Sequence, residues 1–360
     1  MTTIEDPLAS TPDELFKMDR RRSDDLERFI GSLDRERPIA ILTQDNPDPD
    51  AIAGALGLRK LLHHVQPDRA VEIFYGGAIS HPQNRTMVNV LNLNLQEVRH
   101  LDLARRYYVF LVDATNTGEK NVQSIDVEPD AIFDHHLDVP KNTPVFVDIR
   151  PVGAVSSIVT EHLQNLHVPV DGSLASALLL GITTDTMDLT KNLTDVDIRA
   201  WRFLQPLIDR QILNDIKNYP IPSYLFDLEQ DALQKKRAQG SMLVAGLGYL
   251  SPGRRDGIPH VADHLLRMEG VSTVLVFAII EKNLQASVRS TNPSFDTKQF
   301  IQKLFGEKHS GAKTGSGGSQ VPLGPISPDA DTDEEAKEHY WEFVREWVTT
   351  KAFRLASAQD

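Results

Sequence analysis

The sequence predicts an α/β protein in which a mostly parallel sheet with helices on both faces is joined to a smaller α+β domain. Short apolar segments alternate with helical segments through the first half of the chain. Short strands without polar alternation are typical of parallel sheets that are buried on both faces. A break at Asn218–Pro222, which carries two prolines, precedes a second and different pattern.

The composition excludes several classes of protein. The chain has 360 residues, no cysteine and a formal net charge of −13. The absence of cysteine excludes disulfides and thiolate metal sites, and the acidic balance argues against long duplex nucleic acid as a partner. A short anionic substrate remains compatible, because bound cations can dominate the local charge. No apolar run could span a bilayer and the N-terminus is acidic, so we expect a cytoplasmic protein without a membrane partner.

The first half of the chain shows the alternation element by element. A charged N-terminal helix is predicted at Pro12–Leu33. Apolar, β-rich segments predict strands at Pro38–Thr43, Val71–Tyr75, Tyr107–Val112, Ala131–Phe133 and Val145–Val147. Helical segments lie between or after them, at Ala51–His64, Arg85–Asn92, Gly153–Leu166, Leu174–Leu180 and Val196–Ile208. This order predicts a three-layer domain.

The second half predicts the smaller α+β domain. Its elements are a polar linker helix at Ser223–Gly240, a strand at Met242–Leu250, a helix at Ile258–Met268, a hairpin of Val271–Ile280 with Leu284–Ser290, a helix at Thr297–Phe305, a glycine-rich loop at Gly311–Gly324 and an amphipathic helix at Glu335–Phe353. The predicted domains are a helical extension (1–37), a catalytic domain (38–222), the linker (223–240), a substrate-binding domain (241–324) and an acidic segment with the final helix (325–360).

Four clusters of carboxylates and histidines lie in the first half, three of them directly after predicted strands. Divalent cations prefer such oxygen and imidazole ligands. Two cations about 3.5–4 Å apart can activate a shared water and clamp the oxygens of a phosphoryl group. The clusters are Gln44 to Asp50, with Asp48 and Asp50; Asp113; Asp134-His135-His136; and Gly181 to Thr186, with Asp185.

Each cluster also has an ordinary structural interpretation. Asp48 and Asp50 could cap the helix that follows them, and Asp113 could form a turn. His135 and His136 could be surface residues, and the fourth cluster could be a capped helix end. The occurrence of all four in order favours the metal site.

The order of the motifs Asn-Pro-Asp-Pro-Asp-Ala, Val-Asp-Ala, Asp-His-His, Gly-Ala-Val-Ser-Ser and Gly-Ile-Thr-Thr-Asp-Thr resembles the DHH phosphoesterase superfamily. The C-terminal half resembles the DHHA1 substrate-binding domain of that superfamily, so the resemblance covers roughly residues 38–324. It is strongest to short members that cleave oligoribonucleotides, linear or cyclic dinucleotides, or 3′-phosphoadenosine 5′-phosphate.

The resemblance implies a role for each matching residue. Asp48 would bind one metal and Asp50 the other, Asp113 would bridge both, and His135 with Asp185 would complete the coordination of the second metal. Asp134 would orient the histidines, and His136 would contact the scissile phosphate. The residues implied in substrate binding are His81, Asn84, Arg85, Ser156, Ser157, Arg289, Lys313, Gly317 and Gly318. Free amides at the start of the helix that carries both serines could meet an anion.

Two departures from the family pattern concern ligands. Gln44 stands where the family usually has a metal-binding histidine, so the first metal is expected to bind less tightly or to differ in identity. Asp45 is a candidate substitute, although its side chain should point away if the segment is extended. In the second domain, Gly311-Ala312-Lys313 replaces the family's Gly-Gly-His, which puts a fixed positive charge where a histidine is usual.

The leading hypothesis is hydrolysis of short nucleotide substrates by a metal-bridged hydroxide, with two divalent cations. Mn²⁺ is the expected ion, with Mg²⁺ and Co²⁺ as alternatives, and the family implies a homodimer. A pyrophosphatase or exopolyphosphatase on the same scaffold is a second hypothesis. A nucleotide-binding sensor that has lost catalysis is a third, and it is supported by Gln44 and Lys313.

Overall fold

The structure is a computed structural model that describes residues 12–79, 81–118, 125–313, 315–328 and 331–359. The chain forms two compact units, Met1–Tyr219 and Pro220–Asp360, and the boundary lies within the predicted break. Among the described residues, no helix combines the length and the apolar character that a membrane span requires.

The first unit is built on a six-stranded parallel sheet, which confirms the predicted fold class. Its strands are β1 (Ile39–Asp45), β2 (Val71–Gly76), β3 (Gln96–Glu97), β4 (Tyr108–Val112), β5 (Ala131–Asp134) and β6 (Phe146–Ile149). The spatial order is β3-β2-β1-β4-β5-β6, and every neighbouring pair is parallel. The chain therefore reverses its direction of winding between β1 and β4, which is where open α/β sheets bind ligands.

Helices cover one face of this sheet. They are α1 (Pro12–Ser32), α2 (Pro49–Val65), α3 (Pro82–Val90), α4 (Val155–Asn165), α5 (Gly172–Asp185), α6 (Asp195–Leu204) and α7 (Arg210–Lys217). Their buried residues share one apolar core with Ile39, Ile41 and Phe110 of the strands. The alternate strand residues pack on the other face against the 3₁₀ helix Val98–His100 and the segments around it. This second face was not resolved into elements by the sequence pattern, because the segments are too short to show a helical period.

A buried polar network fixes α1 to the rest of the unit. The Ser23 Oγ lies 2.9 Å from His162 Nδ1, and His162 Nε2 lies 2.8 Å from Asp148 Oδ2. Arg150 bridges Asp148 and Glu161 in the same cluster. Burial opposes ionisation of Asp148, but His162 and Arg150 outweigh it and lower its pKa to about 2. The same three residue types form a hydrolase triad, but here the two ring nitrogens are exchanged and all three residues are buried, so this network is structural.

The second unit is built on a six-stranded mixed sheet. Its strands are β7 (Arg237–Gln239), β8 (Met242–Leu250), β9 (Thr273–Ile280), β10 (Asn283–Ser290), β11 (Ser310–Lys313) and β12 (Ser316–Pro322), in the order β11-β12-β10-β9-β8-β7. Its helices are α8 (Ser223–Lys235), α9 (Gly257–Leu265), α10 (Thr297–Phe305) and α11 (Glu334–Ala356). α8 and α9 pack on one face of the sheet, and α10 and α11 pack on the other.

Two segments of the second unit differ from their sequence-based description. The predicted linker helix ends at Lys235, and its buried Leu225 and Leu228 place it in the core of the unit. The predicted glycine-rich loop is a β-hairpin, in which Gly317 and Gly318 pair with β10. A Cβ at Gly317 would lie 2.9 Å from the Cβ of Ala312, so glycine permits the two strands to approach.

The last helix packs on its own unit. Trp341 of α11 is buried against Phe277 of the sheet, with 5.6 Å between the ring centroids. Phe343 and Trp347 remain exposed on the same helix. The sequence left open whether this helix packs on its own domain or pairs with another subunit, and the structure shows the first of these contacts.

Replacing Ser23 with alanine should destabilise the first unit. The substitution leaves the buried Nδ1 of His162 without its partner, which typically costs about 1–3 kcal/mol. Urea titration followed by circular dichroism measures the free energy of unfolding. The control is Ser32→Ala, which removes an exposed serine of the same helix and should change stability by less than about 0.5 kcal/mol. Equal unfolding midpoints for both variants would contradict the structural role of the network.

Candidate metal centre

The predicted clusters meet at the carboxyl ends of three neighbouring strands. Thr43 of β1 is in register with Val112 of β4, and Val112 is in register with Phe133 of β5. The residues that follow these positions, Gln44, Asp113 and Asp134, therefore lie side by side at the point where the winding reverses. α5 ends with Asp185, which joins them through His135.

Asp113 occupies the middle of the cluster. Its Oδ1 lies 3.3 Å from His135 Nε2, and its Oδ2 accepts a hydrogen bond of 2.7 Å from the Gln44 amide. The backbone has a φ of +57°, the left-handed region that aspartate tolerates better than most residues. Strained conformations of this kind are concentrated at functional sites. Burial raises the pKa of Asp113 well above its usual range.

Asp134 organises the loop that carries the two histidines. Its Oδ1 accepts from the backbone amides of His135 and His136, at 2.7 and 3.0 Å, and lies 2.9 Å from His136 Nδ1. Its Oδ2 accepts from the hydroxyl of Thr115, at 2.6 Å. Burial would raise the pKa of Asp134, but these contacts outweigh it and the pKa is lowered. With both oxygens in use, Asp134 is suited to position the histidines. The sequence analysis assigned no role to Thr115, although a hydroxyl two residues after Asp113 was a visible signal.

The tautomer of His135 is set by the backbone. Its Nδ1 lies 3.2 Å from the carbonyl oxygen of Val152, which can only accept. The Nδ1 therefore carries a proton in either charge state of the ring, and Nε2 faces Asp113 and Asp185, each with an oxygen 3.3 Å away. A histidine oriented in this way by a carbonyl is the usual arrangement of a metal ligand.

Asp50 is held at the beginning of α4. Its two oxygens accept from the backbone amides of Val155 and Ser156, at 2.7 and 2.9 Å. Ser156 and Ser157 were expected to meet a substrate anion at this helix start. The structure differs, because both serines are fully buried and the anion at the amides is the carboxylate of Asp50 itself.

Gly181 lets α5 approach this carboxylate. A Cβ at Gly181 would lie 2.4 Å from the Ser156 Oγ and 3.0 Å from Asp50 Oδ1. The predicted helix Leu174–Leu180 extends to Asp185, so this glycine lies within the helix and not after it. Its absent side chain brings α5 and the loop of Asp50 together.

Asp48 and Gln44 form the other side of the cluster. Asp48 caps α2, since its Oδ1 accepts from the amides of Asp50 and Ala51. The Gln44 amide nitrogen lies 3.4 Å from Asp48 Oδ2, so it bridges Asp48 and Asp113. In this orientation Gln44 donates and is not a ligand, while rotation of its amide would present the oxygen. Asp45 points away from the cluster, because its Oδ1 occupies the space of a Cβ at Gly76.

The donor set fits a divalent cation. The Asp113 Oδ1 and the His135 Nε2 are buried and form no hydrogen bond, although they face each other. Asp50, His135 and Asp185 each offer an atom within 4.8 Å of the others, and Asp113 does the same with Asp134 and the histidines. Burial opposes the charge on His135, but the carboxylates around it raise its pKa to about 10. A cation would replace that proton and neutralise the carboxylates.

The predicted substrate residues of α3 lie beside this cluster. Asn84 is buried and donates to the carbonyl of Pro47, so it fixes the turn that carries Asp48. His81 accepts from the amide of Gln83 at the start of α3. Arg85 is exposed, and its guanidinium forms no ion pair with the described residues. Arg85 is therefore available to an anion, while Asn84 acts on the loop.

The predicted substrate residues of the second unit are found within that unit. Arg289 on β10 is paired with Asp263, with its Nε 2.6 Å from the carboxylate. Lys313 ends β11, and Gly317 and Gly318 lie on β12. These four residues therefore lie on three strands at one side of the sheet, in the order β11-β12-β10.

A known family profile matches the part of the chain that carries most of this cluster. The family profile described as the DHH family, N-terminal domain, matches residues 38–182. The chain therefore contains a DHH family domain over these residues. The matched region contains Asp48, Asp50, Asp113 and the Asp-His-His loop.

Three known proteins are similar to this chain in sequence or fold. The uncharacterized protein MJ1633 of Methanocaldococcus jannaschii is 31% identical over 329 residues, which are 91% of this chain and 66% of that protein. A probable manganese-dependent inorganic pyrophosphatase of Lactococcus lactis is 29% identical over 163 residues, 44% of this chain and 51% of the relative. An exopolyphosphatase-related protein of Bacteroides fragilis has the same fold, with a TM-score of 0.67, 15% identity, and coverage of 92% and 98% of the two chains. The DHH chain thus spans about two thirds and half, respectively, of the first two relatives.

Metal binding should release a proton near neutral pH. Without a cation, the pKa of about 10 keeps His135 protonated. A cation must displace this proton, so its apparent affinity should rise with pH by up to about tenfold per unit for each proton released. Titration calorimetry with Mn²⁺ in buffers of different ionisation enthalpy, between about pH 6 and pH 8, counts the protons. An affinity that is independent of pH and buffer would contradict this assignment of His135.

Changing Gln44 to histidine should strengthen Mn²⁺ binding. The imidazole would supply a lone pair where the amide now donates to Asp113, and imidazole is a better ligand for transition metals. We expect a gain of about tenfold, or about 1.4 kcal/mol, for Mn²⁺ and a smaller gain for Mg²⁺. Parallel calorimetric titrations measure both. The matched control is Gln164→His, at an exposed glutamine on α4. An equal gain in that variant would show that the effect is not local.

Proposed function

We propose that the DHH chain is a metal-dependent phosphoesterase that hydrolyses phosphodiester or phosphomonoester bonds of short nucleotides. The observation that carries this proposal is the pair of buried atoms, Asp113 Oδ1 and His135 Nε2, which face each other without a hydrogen bond. A buried polar atom without a partner is costly. Such atoms are retained where they bind something, and here the donor types match a divalent cation.

The residues that would hold cations are carboxylates and one histidine. We propose two cations, with Mn²⁺ favoured by the name of the pyrophosphatase relative. When bound, they would lower the pKa of a water molecule and neutralise charge on the phosphoryl oxygens. The proposed ligands are Asp48, Asp50, Asp113, His135 and Asp185, with Gln44 after rotation of its amide.

The chain's own residues would then position the phosphate. The reaction adds water to phosphorus and breaks the bond to the leaving oxygen, which must gain a proton. The hydrogen bond to Asp134 raises the pKa of His136 and favours its charged form. His136 is partly exposed beside Asp113, so it could donate to a phosphoryl or leaving oxygen. Arg85 would add positive charge at the edge of the site.

The second unit would supply recognition of the nucleotide. Arg289 of β10 would supply positive charge, and the resemblance implies the same of Lys313 of β11, with β12 lying between the two strands. Gly317 and Gly318 of β12 have no side chains that could prevent a ligand from approaching the face of the sheet. The pairing of Arg289 with Asp263 would have to be compatible with substrate. This part of the proposal is supported by the resemblance to the DHHA1 domain.

A pyrophosphatase or exopolyphosphatase is the second candidate. It is favoured by the Lactococcus lactis relative, a probable manganese-dependent inorganic pyrophosphatase, whose match covers 44% of the chain. The proposed metal ligands would serve either reaction, so assays with a panel of substrates must distinguish the two candidates.

With Mn²⁺, the panel of substrates contains diadenylate, cyclic diadenylate, 3′-phosphoadenosine 5′-phosphate, inorganic pyrophosphate and a short polyphosphate. Turnover of the nucleotides supports the first candidate, and turnover of only the last two supports the second. Tight nucleotide binding without any turnover would replace both with the sensor hypothesis.

Changing Asp113 to asparagine should abolish turnover. Asparagine keeps the size of the side chain and tolerates the φ of +57°, so the variant tests the carboxylate and not the backbone. We expect kcat to fall by more than about 100-fold, beyond the loss typical of residues that only orient a ligand. Steady-state assays with the best substrate of the panel measure the effect.

The control for this variant is Asp138→Asn, which changes an exposed carboxylate shortly after the Asp-His-His loop. It should leave kcat unchanged. Full activity of Asp113→Asn, with Mn²⁺ bound at the same stoichiometry, would refute the assigned site.

A further inference from the structure

A second cluster of metal-binding side chains lies in the second unit. Glu229 on α8 faces His260 and His264 on α9. The two histidines are four residues apart on one helix, so their side chains share a face. The Glu229 Oε1 lies 2.8 Å from His260 Nε2 and 2.6 Å from His264 Nδ1. Both imidazoles therefore converge on a single carboxylate oxygen.

The three side chains have the spacing of a cation site. Each offers one ligand atom, and these atoms lie within 4.8 Å of one another. The ring centroids of His260 and His264 are 4.4 Å apart. Across the part of the chain that the structure describes, the other groups with this property belong to the candidate metal centre of the first unit.

The helices hold these ligands rigidly. Leu225 and Leu228 of α8 pack with Val261 of α9 in one apolar core. A Cβ at Gly257 would lie 2.4 Å from Leu228 Cδ1, so a glycine at the start of α9 sets the close approach of the two helices. A site on rigid elements needs little rearrangement to bind an ion.

The three side chains become more exposed from His260 through Glu229 to His264, which gives an ion access from solvent. The side chain of His260 is 7% exposed and that of Glu229 is 20% exposed, whereas that of His264 is 41% exposed. Two ligands are thus fixed against the core while the third meets solvent. An ion could reach the cluster from the side of His264 and displace the contacts to Glu229.

The chemistry of the cluster differs from that of the first unit. Two imidazoles and one carboxylate suit Zn²⁺ and neighbouring transition metals, whereas the carboxylate-rich centre of the first unit suits Mn²⁺ or Mg²⁺. Zn²⁺ with three protein ligands keeps a fourth position for water. We propose that Glu229, His260 and His264 form a second, transition-metal site that binds Zn²⁺ and fastens α8 to α9.

Cobalt, a spectroscopic substitute for zinc, tests the site in the full chain. Co²⁺ is titrated into the Asp113→Asn protein, which weakens the first centre, and bound Co²⁺ is counted by equilibrium dialysis. Adding His264→Gln should remove one equivalent of Co²⁺ together with visible absorption typical of a four-coordinate ion. The control is His339→Gln, at an exposed histidine of α11 in the same unit, which should retain both.

Equal Co²⁺ stoichiometry and equal spectra with and without His264→Gln would overturn the proposal and leave a hydrogen-bonded contact between helices. A second measurement needs no variant. Crystals of the unaltered chain soaked in Zn²⁺ should show anomalous density at the zinc edge between Glu229 and the two imidazoles. Absence of this density, with zinc present at the first centre, would also overturn it. Neither measurement depends on enzymatic activity, so a failure of the proposed function and a failure of this second site can be distinguished.

Discussion

Negative charge buried at the ends of neighbouring strands is the constraint on which the first unit depends. Asp50 and Asp113 are both buried, and like charges in a low dielectric repel strongly. Groups around these carboxylates each offset part of this negative charge. Backbone amides of α4 meet Asp50, the Gln44 amide meets Asp113, and His135 takes up a proton. A cation would complete the compensation, so folding and metal binding are linked.

The same constraint explains the unusual local geometry. Asp113 adopts a left-handed backbone, and Gly181 lacks a side chain where α5 meets Asp50. Neither choice favours stability, since strained backbone and glycine within a helix are both unfavourable. The core of α2, α4 and α5 around the strands offsets these costs. Packing of the helical layer thus stabilises the unit, while the strand ends carry the residues of the candidate metal centre.

The two units place their charged groups differently. In the first unit, the proposed ligands lie at the carboxyl ends of strands and at the ends of α2 and α5, so each is positioned by the elements around it. In the second, Glu229, His260 and His264 come from helices that pack on the face of a sheet. Oxygen-rich and imidazole-rich clusters favour different ions, so the two proposed sites differ in the ion that suits them.

The sequence by itself predicted the parallel sheet of the first unit and the four clusters of its candidate metal centre, because apolar periodicity and polar residues after strand and helix ends are local signals. It also predicted most helices of both units. It could not show that Asp50, and not a substrate, meets the amides of α4, because those residues are about a hundred positions apart. The convergence of Glu229 with His260 and His264 could not be predicted either, since only tertiary packing brings α8 to α9. The glycine-rich segment was predicted as a loop, because pairing with β10 is a long-range contact that composition does not encode.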